Sequence, residues 1–175
     1  MLFLCTWRQS KVKVTIKKYD ERYWNDICAI HDAARKEELR YASLEDAFLP
    51  LEAVAAEEGL LEYKHVEVAL ADNQVVGFCA YSEEELAWLY VAPEMMRKGI
   101  GRQLVAHALD TEKALCCVEV LLGNEPARKL YESFGFSVKA LLSGRMPGNE
   151  QFAVHVYSMY RNISHVAGKD TVMPL

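Results

Sequence analysis

The five cysteines, at positions 5, 28, 79, 116 and 117, form no C-x-x-C pair and leave one over in any pairing scheme. That argues against a disulfide framework and for a reducing compartment. No run of about 20 apolar residues is present to span a bilayer. The start, MLFLCTWRQ, has a short apolar run and no cationic n-region, a poor signal peptide. The expected location is the cytoplasm, where Asn162-Ile163-Ser164 stays an unused sequon. Positive charge is also short: 20 Lys and Arg against 25 Asp and Glu leave a formal charge of −5. No general basic field exists to hold nucleic acid by counterion release. Neither nucleic acid nor a membrane is therefore expected as a partner. Internal repeats and low-complexity blocks are lacking too.

With 51% apolar and 26% charged residues in 175, the chain reads as one soluble globular domain with a full core. Residues 12–160 carry the pattern, with an extension at 1–11 and an aperiodic tail at 161–175. Residues 12–18 alternate as a half-buried strand, and Tyr23, Ile27, Ile30 and Ala34 recur at helical spacing through about Arg40. Ser43-Leu44-Glu45-Asp46 resembles a capping box. A second helix is predicted over about 50–58, opened at Pro50 and stopped by Gly59. Two strands flank Asp72-Asn73, good chemistry for a tight hairpin.

Residues 85–91, ELAWLYV, predict a fourth strand ended by Pro93, with Leu86, Trp88 and Tyr90 on one face. Ile100, Leu104, Ala108 and Leu109 mark the buried stripe of a helix over about 99–114. CCVEVLL is a fifth strand, with Cys116 and Cys117 expected in the core. Asn124 caps the next helix and Pro126 sits in its first turn. After Gly135 come two final strands.

The segment YVAPEMMRKGIGRQLV, residues 90–105, sets Gly99 and Gly101 among Arg97, Lys98 and Arg102 at the mouth of an amphipathic helix. A helix N-terminus with glycines lets an anion approach backbone amides, which favours a phosphate or pyrophosphate. No Walker loop matches, and a dinucleotide fingerprint would need glycine where Leu104 stands. The five histidines form no close pair and no cluster with cysteine, so no metal is expected.

Downstream, GNEPARKLYESFGFSV at residues 123–138 sets Asn124, Ala127, Tyr131, Gly135 and Phe136 at fixed offsets. The two motifs in this order resemble the GNAT family, the acyl-CoA-dependent N-acetyltransferases. That family's loop reads Arg/Gln-x-x-Gly-x-Gly/Ala, followed about two dozen residues on by Asn-x-x-Ala-x-x-x-Tyr-x-x-x-Gly-Phe. The chain departs from it at Met96, where the family has Arg or Gln.

The resemblance implies an α+β fold: a mixed, mostly antiparallel sheet of about seven strands, flanked by about four helices and splayed between the fourth and fifth strands. It implies acetyl-CoA in that splay as acyl donor, with the pantetheine arm pairing along Leu89, Tyr90 and Val91. Amides of the loop Arg97, Lys98, Gly99, Ile100, Gly101 and Arg102 then hold the pyrophosphate, with Asn124 and Ala127 beside the arm. By the same resemblance the Leu89 amide donates to the oxyanion, Tyr131 protonates the leaving thiolate, and either Glu85 or a chain of waters removes the amine proton. Met95 and Met96 could pack near the cofactor or equally serve only to fill space.

The same resemblance implies that the acceptor, a small-molecule amine or a protein amine, enters between residues 20–60 and 141–155. The first of these carries Glu37, Glu38, Glu45, Asp46 and Glu52, which could draw a cation or simply form a wet face. A homodimer is compatible with this reading. A second class of function, an acyl-CoA-binding regulatory module without turnover, differs in leaving the thioester intact.

Overall fold

The computed structural model describes residues 11–163. The tail beyond Ile163 and the extension before Lys11 lie outside the described residues, and so do Cys5 and His165. Seven strands form two sheets: β1 (Thr15–Lys18), β2 (His65–Ala71), β3 (Gln74–Tyr81) and β4 (Leu86–Val91) in sequential antiparallel order, then β5 (Cys117–Leu121), β7 (Asn149–Tyr160) and β6 (Ser137–Met146). One parallel bridge, Glu85 to Cys117, joins the sheets at one end of β4 and β5. There the amides of Cys116 and Cys117 both donate to the Glu84 carbonyl, at 2.7 and 2.9 Å. Beyond that point β4 and β5 diverge, so the expected splay is present.

Among the described residues four α-helices flank the sheets: α1 (Trp24–Tyr41), α2 (Leu51–Val54), α3 (Ile100–Thr111) and α4 (Glu125–Glu132). The α3 stripe of Ile100, Leu104, Val105 and Ala108 is at most 1% exposed and packs on one face of β3 and β4. α1 and α2 cover the other face through Ile27, Ile30, Leu51 and Val54. Burying a side chain of that size contributes about 1.5–3 kcal/mol, so each helix is fixed by its stripe. Asp72 and Asn73 both have positive φ, 49° and 65°, as the tight hairpin requires.

Several local expectations change. Ser43 is no N-cap: its φ is 55°, and the Leu44 amide donates to the Leu39 carbonyl at 2.9 Å. It is the left-handed residue that ends α1, a role Ser takes here because the bond from Leu44 closes the turn. α2 is one turn, not nine residues; turns follow it to Gly59. β1 starts at Thr15 because residues 12–14 turn to bond elsewhere. Leu109 is only partly buried, and Val105 takes its place. Cys116 and Cys117 are half-buried, since they lie at the sheet junction and not under a helix.

The face assignment in β4 also changes. Ala80 pairs with Trp88, but Tyr81 pairs with Leu86, leaving Ala87 as an unpaired bulge residue. The bulge turns Leu86 to the α3 side while Trp88 and Tyr90 stay on the α1 side.

Candidate active site

The divergence of β4 from β5 opens a cleft of about 690 Å³. Of the residues proposed for the donor site, Leu89, Tyr90, Val91, Arg97, Gly99, Ile100, Gly101, Arg102, Asn124, Ala127 and Tyr131 all line it. Lys98 does not: its ammonium reaches the Met95 sulfur at 3.4 Å. Met96 lines the cleft, so the departure from the family pattern falls within the site.

The open edge of β4 follows from its pairing. The Ala92 amide donates to Val76, and the Tyr90 carbonyl faces Gly77 on β3. Strand polar groups alternate sides, so the amides of Leu89 and Val91 point away from β3 into the cleft. Downstream, a short 3-10 turn over Pro93–Met95 leads into Arg97 and Gly99, which have φ of 61° and 84°. Left-handed residues in such a loop turn successive amides the same way, forming an anion-binding concavity.

Gly99 caps α3 without a side-chain bond, leaving the first helical amides with no partner inside the helix. The Gln103 amide is the first to bond back, to Gly99 at 3.2 Å. The Arg102 guanidinium turns outward, bonding Ser133 Oγ at 2.7 Å and stacking over Phe134. Backbone, more than side-chain charge, faces the cleft here.

α4 starts at Asn124, whose side chain accepts from the Ala127 amide at 3.2 Å. One turn on, Tyr131 is 6% exposed and packs edge-on against Phe136. Among the described residues no fully buried side-chain polar atom lacks a partner. The Tyr131 hydroxyl bonds to no protein group among them, so its oxygen is open to the cleft. Burial, then the charges of Glu38 and neighbouring groups, push its pKa well above the usual phenol range. It stays a protonated donor at neutral pH.

A second cavity, of about 450 Å³, lies on the α1 and α2 side. His31, Arg35, Glu58, Tyr63, Trp88 and residues 142–147 of the β6–β7 hairpin wall it. Four residues line both cavities: Glu38, Ala87, Tyr90 and Glu119. The bulge at Ala87 thus sits where the two spaces meet.

Glu38 ties this junction together. Its carboxylate accepts from Arg35 at 2.6 Å, from Asn124 Nδ2 at 3.2 Å and from the Tyr90 hydroxyl at 3.4 Å. Burial opposes the Arg35 cation, but Tyr90, Glu38 and Glu58 around it outweigh that and hold it protonated beyond the usual range. Burial lowers the His31 pKa, against the pull of Asp32 at 2.9 Å, so this imidazole favours its neutral form.

Glu85 lines neither cavity. It sits at the sheet junction, its amide donating to Ser82 Oγ, and burial followed by the charge of Glu119 raises its carboxyl pKa. Glu119, exposed and facing both cavities, was missed from the sequence. The signal was there: it is the lone charge in the apolar run CCVEVLL, immediately before the Asn124 motif.

Residues 62–138, from the end of the α2 region to the start of β6, match the family model described as an Acetyltransferase (GNAT) domain. Over that stretch the chain resembles the GNAT family. Over 68 residues it is 34% identical to the peptidyl-lysine N-acetyltransferase YiaC of Escherichia coli, a match that covers 38% of this chain and 46% of that protein. Two solved structures share its fold. YjaB of Escherichia coli has a TM-score of 0.65 at 22% identity, covering 85% of this chain and 97% of its own. The PaiA N-acetyltransferase of Thermoplasma acidophilum, solved in complex with coenzyme A, has a TM-score of 0.58 at 18% identity, covering 85% and 98%. The matched segment contains β4, the Arg97–Arg102 loop, α4 and Tyr131, so the family likeness rests on the cleft itself.

Proposed function

We propose that this chain is a GNAT-type enzyme that transfers an acetyl group from acetyl-CoA to a primary amine, by direct attack in a ternary complex. The observation that carries the reading is the meeting of two cavities over Glu38, Ala87, Tyr90 and Glu119. One has the features of a donor site and the other is open to an acceptor. The donor side has what the cofactor needs: a strand edge with free amides at Leu89 and Val91, and a concave loop of amides for a pyrophosphate. When bound, acetyl-CoA supplies an activated thioester.

This chain's residues do the rest. The Leu89 amide donates to the thioester oxygen as it gains charge; such donors are worth ~2.7–4 kcal/mol elsewhere. The amine nitrogen bonds to the acetyl carbon as the carbon–sulfur bond breaks, Tyr131 gives its proton to the departing sulfur, and the second amine proton, shed as the amide forms, returns to the Tyr131 oxygen. An alkyl ammonium has a pKa near 10, so the attacking amine must first lose a proton. Of the two carboxylates facing both cavities, Glu38 is engaged by Arg35, Tyr90 and Asn124, which leaves the exposed Glu119 to take the proton, and Glu85, with its raised pKa, stands behind it as the final acceptor through water. The acceptor is a small-molecule or a protein amine; the acidic Glu38, Glu58 and Glu119 favour one that arrives as a cation.

Thermal unfolding with acetyl-CoA, CoA, ATP and NAD tests the donor reading. A ligand at 100 times its Kd stabilises the folded state by ~2.7 kcal/mol, so CoA and acetyl-CoA should raise the midpoint and ATP and NAD should not. An amine panel with a free-thiol readout then tests transfer. No shift with either CoA species would end the enzyme reading.

A further inference from the structure

The carbonyls of the anion loop are held from outside by the chain's N-terminal segment. The Val12 amide donates to the Lys98 carbonyl at 3.0 Å. The Gln103 side chain donates from Nε2 to the Val12 carbonyl at 2.7 Å and to the Gly99 carbonyl at 3.2 Å, while its Oε1 accepts from the Val14 amide at 3.2 Å. Bonding the carbonyl of residue 12 and the amide of residue 14 is what one residue does, through its own amide and carbonyl, in a parallel ladder. One glutamine thus acts as a single rung of sheet between residues 12–14 and the first turn of α3. Lys11 closes the arrangement, its Cγ 3.7 Å from where a Cβ on Gly99 would stand.

These bonds turn the Lys98 and Gly99 carbonyls away from the cleft. A loop whose carbonyls were free could rotate peptide groups and present oxygens to an anion; here that rotation breaks up to three hydrogen bonds. Val12 and Val14 pack against the core beneath α3, so the strap is anchored independently of the loop.

We propose that Gln103 is a positioning residue, and that residues 11–14 are part of the donor site, locking the Arg97–Arg102 loop in its anion-receiving form. The inference rests on the reading of the cleft as a CoA site. Neither Gln103 nor Val14 lines the cleft, so each acts only through the loop.

The test is calorimetric titration of CoA into the wild type, Gln103→Leu and Val14→Pro, the last removing the strap's amide without altering the loop. Amide hydrogen exchange of each free protein accompanies it. Both variants should weaken CoA about tenfold, the loss of one to two net hydrogen bonds, with faster exchange confined to residues 11–14 and 96–103. Unchanged affinity in both variants overturns the proposal, as does weakened affinity accompanied by faster exchange through α4 and β5, which would make Gln103 a general fold determinant. A wild type that does not bind CoA at all would instead overturn the donor reading itself.

Discussion

Removing Glu38 should be costly, and removing it together with Arg35 should not. The two pair at 2.6 Å with side chains 19% and 22% exposed, between the regime where losing one partner costs 3–5 kcal/mol and the exposed regime of about 0–1 kcal/mol. Glu38→Ala also leaves Asn124 Nδ2 and the Tyr90 hydroxyl without their acceptor. Because Arg35 is held charged beyond the usual guanidinium range, the variant strands a largely buried cation in the second cavity with Glu58 as its remaining anion. At one-fifth exposure the expected loss is roughly 2–3 kcal/mol. Replacing both, as Arg35→Met with Glu38→Leu, removes the pair and its desolvation together, and should lie within about 1 kcal/mol of wild type. Urea unfolding at constant slope measures both. If Glu38→Ala costs under about 1 kcal/mol, or if the double variant is as unstable as the sum of the singles, the junction is not organised by this pair.

Leu89→Pro removes an amide that points into the cleft and breaks no β3 bond; turnover should fall about 10²–10³-fold, while Leu89→Val, which keeps the amide, should change it little. Equal rates for the two variants would remove the oxyanion role. Tyr131→Phe should lower kcat with little change in acetyl-CoA affinity, because only the hydroxyl faces the cleft; unchanged kcat on an identified amine would refute the proton-donor role. Glu85 has its folded pKa raised, first by burial and then by Glu119. Its contribution to stability is therefore full below the unfolded carboxylate value of about 4.3 and lost as pH rises through the folded value. Glu85→Gln should be more stable than wild type at pH 7 and not at pH 4, read from urea midpoints; a gain equal at both pH values would show that charge is not the cause.

Local chemistry carried most of the fold and the donor side of the cleft. Asp72-Asn73 tolerates the left-handed conformation wherever it stands, and Asn124 caps α4 through a bond three residues away. Gly99 and the α3 stripe are likewise set by neighbours in sequence. Ser43 shows the limit: the same Ser-x-x-Asp pattern serves a helix start or, as here, a helix end, and only the chain preceding it decides.

The bulge at Ala87 depends on how β3 and β4 register, which no property of Ala87 or its neighbours in sequence announces. Glu37 and Glu38 make the point most sharply. Both are glutamates on α1, indistinguishable in the sequence. Glu37 pairs with Arg40 at 3.1 Å on the wet side. Glu38 turns inward to partners 52 and 86 residues away. α1's amphipathic pattern could place an acidic edge beside the sheet, but which carboxylate would become the junction of two cavities was decided by Tyr90 and Asn124, brought there by β4 and α4. A cavity built across elements is written in tertiary contacts, and so the chemistry of the proposed acceptor must be read from the space that Arg35, Glu38 and Glu58 line together.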